Sequence, residues 1–562
     1  MSRFKKEFAA ACLLLSVCFP FILHAQLDAT AVMPLLKKHI STLASDEFGG
    51  REPGTRGEEL AHNYITQEFS SIGITPMGSK GYLQPFTFTK RLSSGAVTQL
   101  VMNGKTIKGD QQCYPLPWSA DNTVKALTVD AGFGISAPAL GYDDYSGKKD
   151  LKGRIFIIDA STPDKGGPHS KYAEMADLRS RIDTAIRYGA AGIIFHTRDA
   201  EIKEPSLNTG MRITPVSIPV LYLTREGRSV LDQPVTSEAV MSTEIVREEA
   251  TGHNVVGFID NKAGQTIVLG AHYDHLGMGG EESLYRGEPA VHNGADDNAS
   301  GVAGLIELAR YFRKYGPKNN NYLFIAFSAE EKGLLGSGYF TRNPTLDLVT
   351  MNYMLNMDMI GRLKKEDPVL IISGTGTSDA WKVAMDYMKP VGFKVKTSES
   401  GIGPSDHTSF YLKDIPVLHF FSGTHNDYHK PGDDEALINY DGQLSILNYM
   451  VELVEKLDDK GKLAFVKTKE EKNENTPRFK VTLGVIPDYA FEGEGMRIDG
   501  VSEGKPAAKA GIKAGDVVRK IGEHNVSDMM SYMKALGKFS KGDKAVVIVQ
   551  RADAQLPLEV EF

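Results

Sequence analysis

Cysteine is almost missing from this chain: three in 562 residues, at Cys12, Cys18 and Cys113. The first two fall in an N-terminal segment read below as a cleaved leader, which leaves Cys113 alone. A single thiol makes neither an intramolecular disulfide nor a thiolate zinc cluster, so any metal centre must be built from His, Asp and Glu. An excess of basic charge is also missing, since 64 Lys and Arg stand against 71 Asp and Glu. That balance argues against a nucleic-acid binder, which carries a basic patch or stripe. Beyond Leu23 no run is long and apolar enough for a transmembrane span. Two hydrolase signatures are absent as well: there is no Gly-x-Ser-x-Gly elbow and no His-Glu-x-x-His.

What is present begins with a leader. Arg3, Lys5 and Lys6 precede an apolar run from Phe8 to Leu23, interrupted by Ser16, Cys18 and Pro20, and Ala25 follows. A basic start, a short apolar run and a small residue at the cut read as a signal peptide over residues 1–25, with release to the periplasm or outside. The rest has the make-up of a soluble globular protein, 41% hydrophobic and 24% charged, and is too long for one core. Texture divides it. Two amphipathic helices, Ala31 to Leu43 and one carrying Leu60, Tyr64, Ile65 and Phe69, mark residues 26–112. Short β-rich runs split by Gly and Pro, with a helix from Tyr172 to Tyr188, mark residues 113–249 as an α+β insert. Over residues 250–460 strand and helix alternate, which predicts an α/β fold: a mostly parallel (mixed) sheet sandwiched by helices. A charged stretch, Lys467 to Asn475, makes residues 461–477 a linker ahead of a last small domain at 478–562.

Polar residues gather just after the predicted strands, where ligands bind in an open α/β sheet. His272 and Asp274 follow Thr266 to Gly270, Glu330 and Glu331 follow Tyr322 to Phe327, Asp358 closes Met354 to Met357, and His425, Asp427 and His429 follow Pro416 to Phe421. A lone His272 would be an ordinary core histidine, but Asp274 two residues on offers the carboxylate that orients a metal-bound imidazole. Asp296 and Asp297 lie in a glycine-bounded loop before the helix expected at Val302; helix capping accounts for one acid and not for two. Asp358 sits in an apolar run, where an uncompensated carboxylate is costly and a cation is the natural partner. Ser405-Asp406-His407 is not a serine triad, because adjacent residues cannot adopt the relay geometry.

The series His272-x-Asp274, Gly294 to Gly301, Ala329 to Ser337, Asn356 to Met359 and Tyr428 to Asp433 resembles the co-catalytic zinc exopeptidases: aminopeptidase Y, bacterial leucyl aminopeptidases and glutamate carboxypeptidase. The resemblance implies two zinc ions. His272 and Asp358 would hold one, Glu331 and His429 the other, and Asp297 would bridge them. Glu330 would be the general base and Asp274 the partner of His272, while Asp406 and His407 would line the substrate pocket. It also implies removal of terminal residues from peptide or protein substrates, an aminopeptidase first. A carboxypeptidase of the glutamate carboxypeptidase type, and a receptor-like peptide-binding protein with a dead site, are the alternatives. The full ligand set argues against the dead site and against the one-zinc glutaminyl cyclases of the same scaffold.

Both flanking segments carry resemblances too. Asp150 to Arg154, Ala185 to Ile194 and Ile218-Pro219 are similar to the protease-associated domain that interrupts many such enzymes. Gly504 to Asp516 resembles the turn–helix–turn of bacterial PDZ modules. In such a module Leu483, Gly484 and Val485 would form the groove that receives an extended peptide or a C-terminus by strand addition.

Overall fold

A computed structural model describes residues 27–562 except 110, 165–170, 173–174, 176, 200–203, 206, 208–214, 233–236, 281, 286, 469–480, 488–493, 502–504, 527–528, 540–541 and 553. The leader read over residues 1–25 lies outside the described residues, as do residues 469–475 of the charged stretch and Gly504 of the turn–helix–turn.

The centre of the molecule is a nine-stranded sheet. Four strands form its parallel heart, in the order Asn321–Phe327, Thr266–His272, Met351–Met357, Val417–Phe421. Every residue of the first three is buried, which is why they read as continuous apolar runs without alternation. Their side chains still divide between two faces. Ile267, Leu269, Phe324 and Leu355 join one core with the helices Ala29–Leu43, Gly301–Tyr315 and Tyr440–Leu457. Val268, Leu323, Ile325 and Met354 join the other, against Phe340 and Phe410 of the helices Leu335–Arg342 and His407–Tyr411. The sheet is thus sandwiched by helices, as the alternation predicts.

The helix ends have local causes. Tyr440–Leu457 begins five residues ahead of the predicted Ser445, because the Asn439 side chain accepts from Gly442 N (3.1 Å) and caps it there. Asp379–Asp386 stops short of the predicted Lys389, before Pro390.

The flanks of the sheet are antiparallel. The long strand Ile245–Ile259 pairs with Asn321–Phe327 on one side and with Leu83–Ser94 on the other, and Val369–Ser373 runs against Val417–Phe421. The ribbon Leu83–Ser94 with Ile245–Ile259 is not evident in the sequence. Its outer half carries Lys90, Arg91, Glu248 and Glu249 in a largely exposed alternation, without the apolar run that marks a buried strand.

Between the two strands of that ribbon the chain builds a second sheet of eight strands. It holds Ile155–Asp159, Gly192–His196 and Val220–Leu223 in parallel, with the helix Leu178–Arg187 beside them. It also takes Gln99–Met102 and Lys105–Lys108, ahead of Cys113. A third sheet of six strands, from Val485–Pro487 to Ala554–Glu561, encloses its own core with Leu483 fully buried and Gly484 at φ 72°. Val485–Pro487, partnered by Met496–Val501, is an edge strand of that sheet among the described residues. No helix among the described residues is long and apolar enough to cross a membrane.

Candidate metal centre

From Thr266–His272 the chain crosses first to Asn321–Phe327 on one side and later to Met351–Met357 on the other. The strand ending at His272 is therefore the topological switch point, where a crevice opens at the carboxyl edge of a parallel sheet. Register brings the ends together: His272 pairs with Phe327, Gly270 with Asn356, and Met357 with Phe420. His272, Glu330–Glu331, Asp358 and His429 consequently meet although more than a hundred residues separate the first from the last.

Two groups of ligand atoms form there. His272, Glu330 and Asp358 make one, and His275, Asp297 and Glu331 the other, with the atoms of each group within 4.8 Å of one another. Asp297 faces both: its Oδ1 lies 3.5 Å from His272 Nε2 and its Oδ2 lies 3.3 Å from His429 Nε2. Asp358 Oδ1 is 3.2 Å from His272 Nε2, and Glu331 Oε2 is 3.3 Å from His429 Nε2. Glu330 Oε2 stands 3.9 Å from His272 Nε2, at the rim of the first group. All five residues expected as ligands, and Glu330 with them, thus meet at one edge of the sheet.

Asp274 is close by but turned. The strand ends at His272, so the shared orientation expected of i and i+2 on a strand does not extend to it. Its carboxylate accepts from the amides of Glu330 (3.0 Å) and Glu331 (3.3 Å), and its backbone carbonyl is the oxygen nearest His272 Nδ1, at 3.2 Å against 3.8 Å for Oδ1. Asp274 therefore fixes the loop that carries the two glutamates while its main chain orients the imidazole. His429 is oriented likewise, by the Glu282 carbonyl 3.0 Å from its Nδ1.

The two adjacent aspartates have separate tasks. Asp296 Oδ1 accepts from Gly361 N (2.6 Å) and from Ser300 Oγ (2.9 Å), which binds the loop to the chain after Asp358. Asp433 Oδ2 accepts from the amides of both Asp296 and Asp297, at 3.0 Å each, and so holds the Asp297 carboxylate in place. Gly294 permits the turn: at φ 56° it is left-handed, and a Cβ there would stand 2.2 Å from the Asp297 carbonyl. Ala329, Met359 and His429 are left-handed without being glycine (φ 56°, 53° and 54°), a cost of about 1–2 kcal/mol each, borne where three ligand loops turn into the site.

Several residues of this site escape sequence reasoning. His275, fully buried, sets Nδ1 2.8 Å from Glu331 Oε1; its position three after His272 is the only signal it gives. Tyr428, which opens the Tyr428-to-Asp433 motif without a role of its own there, stacks on His429 with ring centroids 3.9 Å apart. Glu58 accepts from Tyr273 Oη (3.0 Å) and Ser328 Oγ (2.7 Å), behind both ligand strands.

Arg51 is the most consequential of them. Fully buried, it donates to the carbonyls of Tyr273 (2.7 Å), Leu43 (2.6 Å), Asn293 (2.7 Å) and Gly294 (2.9 Å), stapling the loops behind His272 and Asp297. Burial pulls its guanidinium down to about 10, and the carboxylates of Asp297 and Asp274 keep it charged at neutral pH. Arg51→Met strands those carbonyls without donors. We expect it to lower stability by about 3–5 kcal/mol in urea melts, and Arg51→Lys to recover little, since one ammonium cannot span the set.

The electrostatics describe a site short of positive charge. Burial alone would depress the imidazoles, but Glu330, Asp358 and Asp297 outweigh it and hold His272 well above its ordinary range. His429, against the same burial, is pushed up to about 11 by Glu331 and Asp297. Burial lifts the Glu330 carboxyl well above the carboxylate range, with Asp358 and Asp406 adding to it. Glu331 is held well below that range because His429 and His275 outweigh burial. Carboxylates so crowded draw protons onto the nearby imidazoles, and cations would replace those protons. The nitrogen and oxygen donors fit zinc.

Asp406 and His407, expected to line the pocket, part company. Asp406 is fully buried, raised to about 7 by burial, and near enough for its charge to raise Glu330 and Asp274. His407 instead stacks on His419, centroids 4.5 Å apart at 11°. Burial pulls His419 down to about 4. Unfolded, it binds its proton near pH 6.5, so the unfolded chain holds the extra proton between the two values and stability rises with pH. His419 thus contributes fully above about pH 6.5 and loses about 3 kcal/mol as pH falls toward 4. Denaturant midpoints measured from pH 7.5 down to 4.5 should fall across that window.

Residues 254–454 match the family model described as Peptidase family M28, and residues 466–562 match that of the PDZ domain. Aminopeptidase YwaD of Bacillus subtilis is 27% identical over 320 residues, covering 53% of this chain and 62% of its own length. An aminopeptidase of Pseudomonas aeruginosa is 26% identical over 360 residues, covering 62% of this chain and 60% of its own. The chain thus spans about three fifths of the length of these curated relatives. Among solved structures, the aminopeptidase from Aneurinibacillus sp. strain AM-1 matches with 23% identity and a TM-score of 0.45, over 77% of this chain and 95% of that one.

Proposed function

We propose that this chain, in which residues 254–454 match the model of peptidase family M28, is an exported two-zinc aminopeptidase that removes N-terminal residues from peptides. The observation that carries the reading is Asp297, one oxygen toward His272 and the other toward His429. A carboxylate that faces both ligand groups would suit a pair of ions. His272 and Asp358 would hold one ion, Glu331 and His429 the other. Zinc, when bound, supplies the Lewis acidity that lowers the pKa of water and polarises the scissile carbonyl.

The chain's own residues do the rest. Glu330, at the rim of the first group and raised by burial, accepts a proton from water and returns it to the leaving amine. Tyr428 stays protonated, because burial and then Asp297 and Glu331 raise its phenol, and so remains a donor for the carbonyl oxygen beside His429. Attack at the amino terminus is supported by the relatives named as aminopeptidases. Arg51, committed to backbone carbonyls, offers no seat for a terminal carboxylate.

The test is hydrolysis of matched peptides with free and acetylated N-termini. Loss of the first residue from the free peptide alone is expected; release of C-terminal residues, or cleavage of acetylated peptides only, would overturn the reading. We read the leader over residues 1–25 as the export signal, the eight-stranded insert as a protease-associated domain, and the PDZ segment as a tether for extended peptides. Removing residues 478–562 should then leave turnover of short peptides unchanged and slow that of long ones.

A further inference from the structure

His425 and Asp427 follow the same strand as His429, yet neither belongs to the two groups of ligand atoms. They meet the neighbours of Asp297 instead. His425 Nε2 lies 3.4 Å from Asp296 Oδ2 and 3.8 Å from Asp433 Oδ1, while its Nδ1 lies 3.9 Å from Asp427 Oδ2. Arg362 closes the circle, with one Nη 3.2 Å from Asp427 Oδ2 and the other 3.9 Å from Asp433 Oδ1. Asp296 and Asp433 are fully buried, and the His425 side chain is only 9% exposed.

Three acids thus face two possible cations, and the charge of His425 decides the balance. Asp296 Oδ2 and Asp433 Oδ1 have no hydrogen-bond partner among the described residues. Two buried carboxylate oxygens that converge on one nitrogen are costly unless that nitrogen belongs to a cation. An imidazole with acids at both nitrogens meets the need when both nitrogens carry protons. Burial opposes that charge, but Asp296 and then Asp433 outweigh it and raise His425 above its ordinary range, against the pull of Arg362.

The same circle joins three of the loops that bring ligands. Asp296 adjoins Asp297, Arg362 shortly follows Asp358, and the stretch from His425 to Asp433 encloses His429. The His425 carbonyl accepts from Tyr428 N (3.1 Å), and Asp433 Oδ2 holds the Asp297 amide (3.0 Å). With an uncharged residue at position 425, Asp296 and Asp433 would repel one another across the join between these loops.

We propose that His425, as a buried cation, is a positioning residue of the metal centre: it neutralises Asp296 and Asp433 and so keeps the Asp297 loop against the His429 loop. That role rests on the two-ion reading of the site.

The experiment is zinc affinity of the full-length protein, by competition with a chelator, beside melting temperature, for the wild type, His425→Gln and His425→Lys. Glutamine keeps a hydrogen-bonding side chain and loses the charge, so His425→Gln should stay folded and bind zinc about 10–100-fold less tightly. Lysine restores a cation, and His425→Lys should recover most of that loss. Equal affinity in the wild type and a folded His425→Gln, or a folded His425→Lys no tighter than His425→Gln, would overturn the proposal. Should His425→Gln not fold, the lysine variant decides alone: wild-type affinity supports the role and weakened affinity overturns it. If neither variant folds, His425 serves the fold and the proposal fails. A wild type that takes up no zinc would instead sink the two-ion reading itself.

Discussion

Glu330→Gln should keep the full metal content and lower kcat by about 10²–10⁴-fold, with KM little changed. Glutamine is isosteric, so the loop geometry survives: the residue 330 amide still donates to Asp274, and the neighbouring Glu331 still faces His429. Only the proton acceptor is lost. Among the acids of the site Glu330 is the one suited to the task, because Glu331 is held deprotonated by His429 and His275 whereas Glu330 is raised by burial and by Asp358. Retained turnover would mean that another group takes the proton. Loss of metal together with activity would mean that Glu330 is a ligand, as its place beside His272 and Asp358 also allows.

The second large effect is expected at the aspartate pair, where neighbours should fail in different ways. Asp297→Ala removes the carboxylate that reaches both ligand groups and should weaken metal binding by more than about 100-fold, the upper range for residues that merely support ligands. Hydrolysis should vanish with the metal, while the fold remains. Asp296→Ala leaves the ligands in place but strands the buried Gly361 amide, while Ser300 Oγ keeps the Asp296 carbonyl as its acceptor (2.8 Å). That should cost about 1–3 kcal/mol of stability, with metal still bound in the folded fraction. Metal analysis combined with denaturant melts on both variants separates the two roles. Identical behaviour would remove the argument that Asp297 alone serves the centre.

The central sheet was legible because its heart is buried on both faces. Past their opening residues, Thr266 in one and Asn321 and Tyr322 in the other, Thr266–His272 and Asn321–Phe327 run apolar until the strand ends, so strand and site are announced by the same change of texture. The ligands were legible for the same reason: Asp358 is conspicuous after Met351–Met357. Hidden were residues whose meaning lies in tertiary approach. Arg51 sits in a glycine-rich turn that reads as a surface loop, and only the fold reveals that Gly50, left-handed at φ 67°, lets that turn close on the backbone of Gly277 and His292. Asp433 reads as the end of a turn, yet it caps two amides more than a hundred residues earlier in the chain. The ribbon Leu83–Ser94 with Ile245–Ile259 was hidden because half-exposed antiparallel strands mix charge with apolar residues. Asp274 lies beyond the strand end at His272, so its carboxylate holds the Glu330 and Glu331 amides while standing 3.8 Å from His272 Nδ1.

The most direct test of the two-ion centre is anomalous diffraction at the zinc edge from crystals of the zinc-loaded protein. Two peaks about 3.5–4 Å apart, one beside His272 and Asp358 and one beside His429 and Glu331 with Asp297 between them, are the result expected. A single peak in the crevice, or none within reach of Asp297, would contradict it.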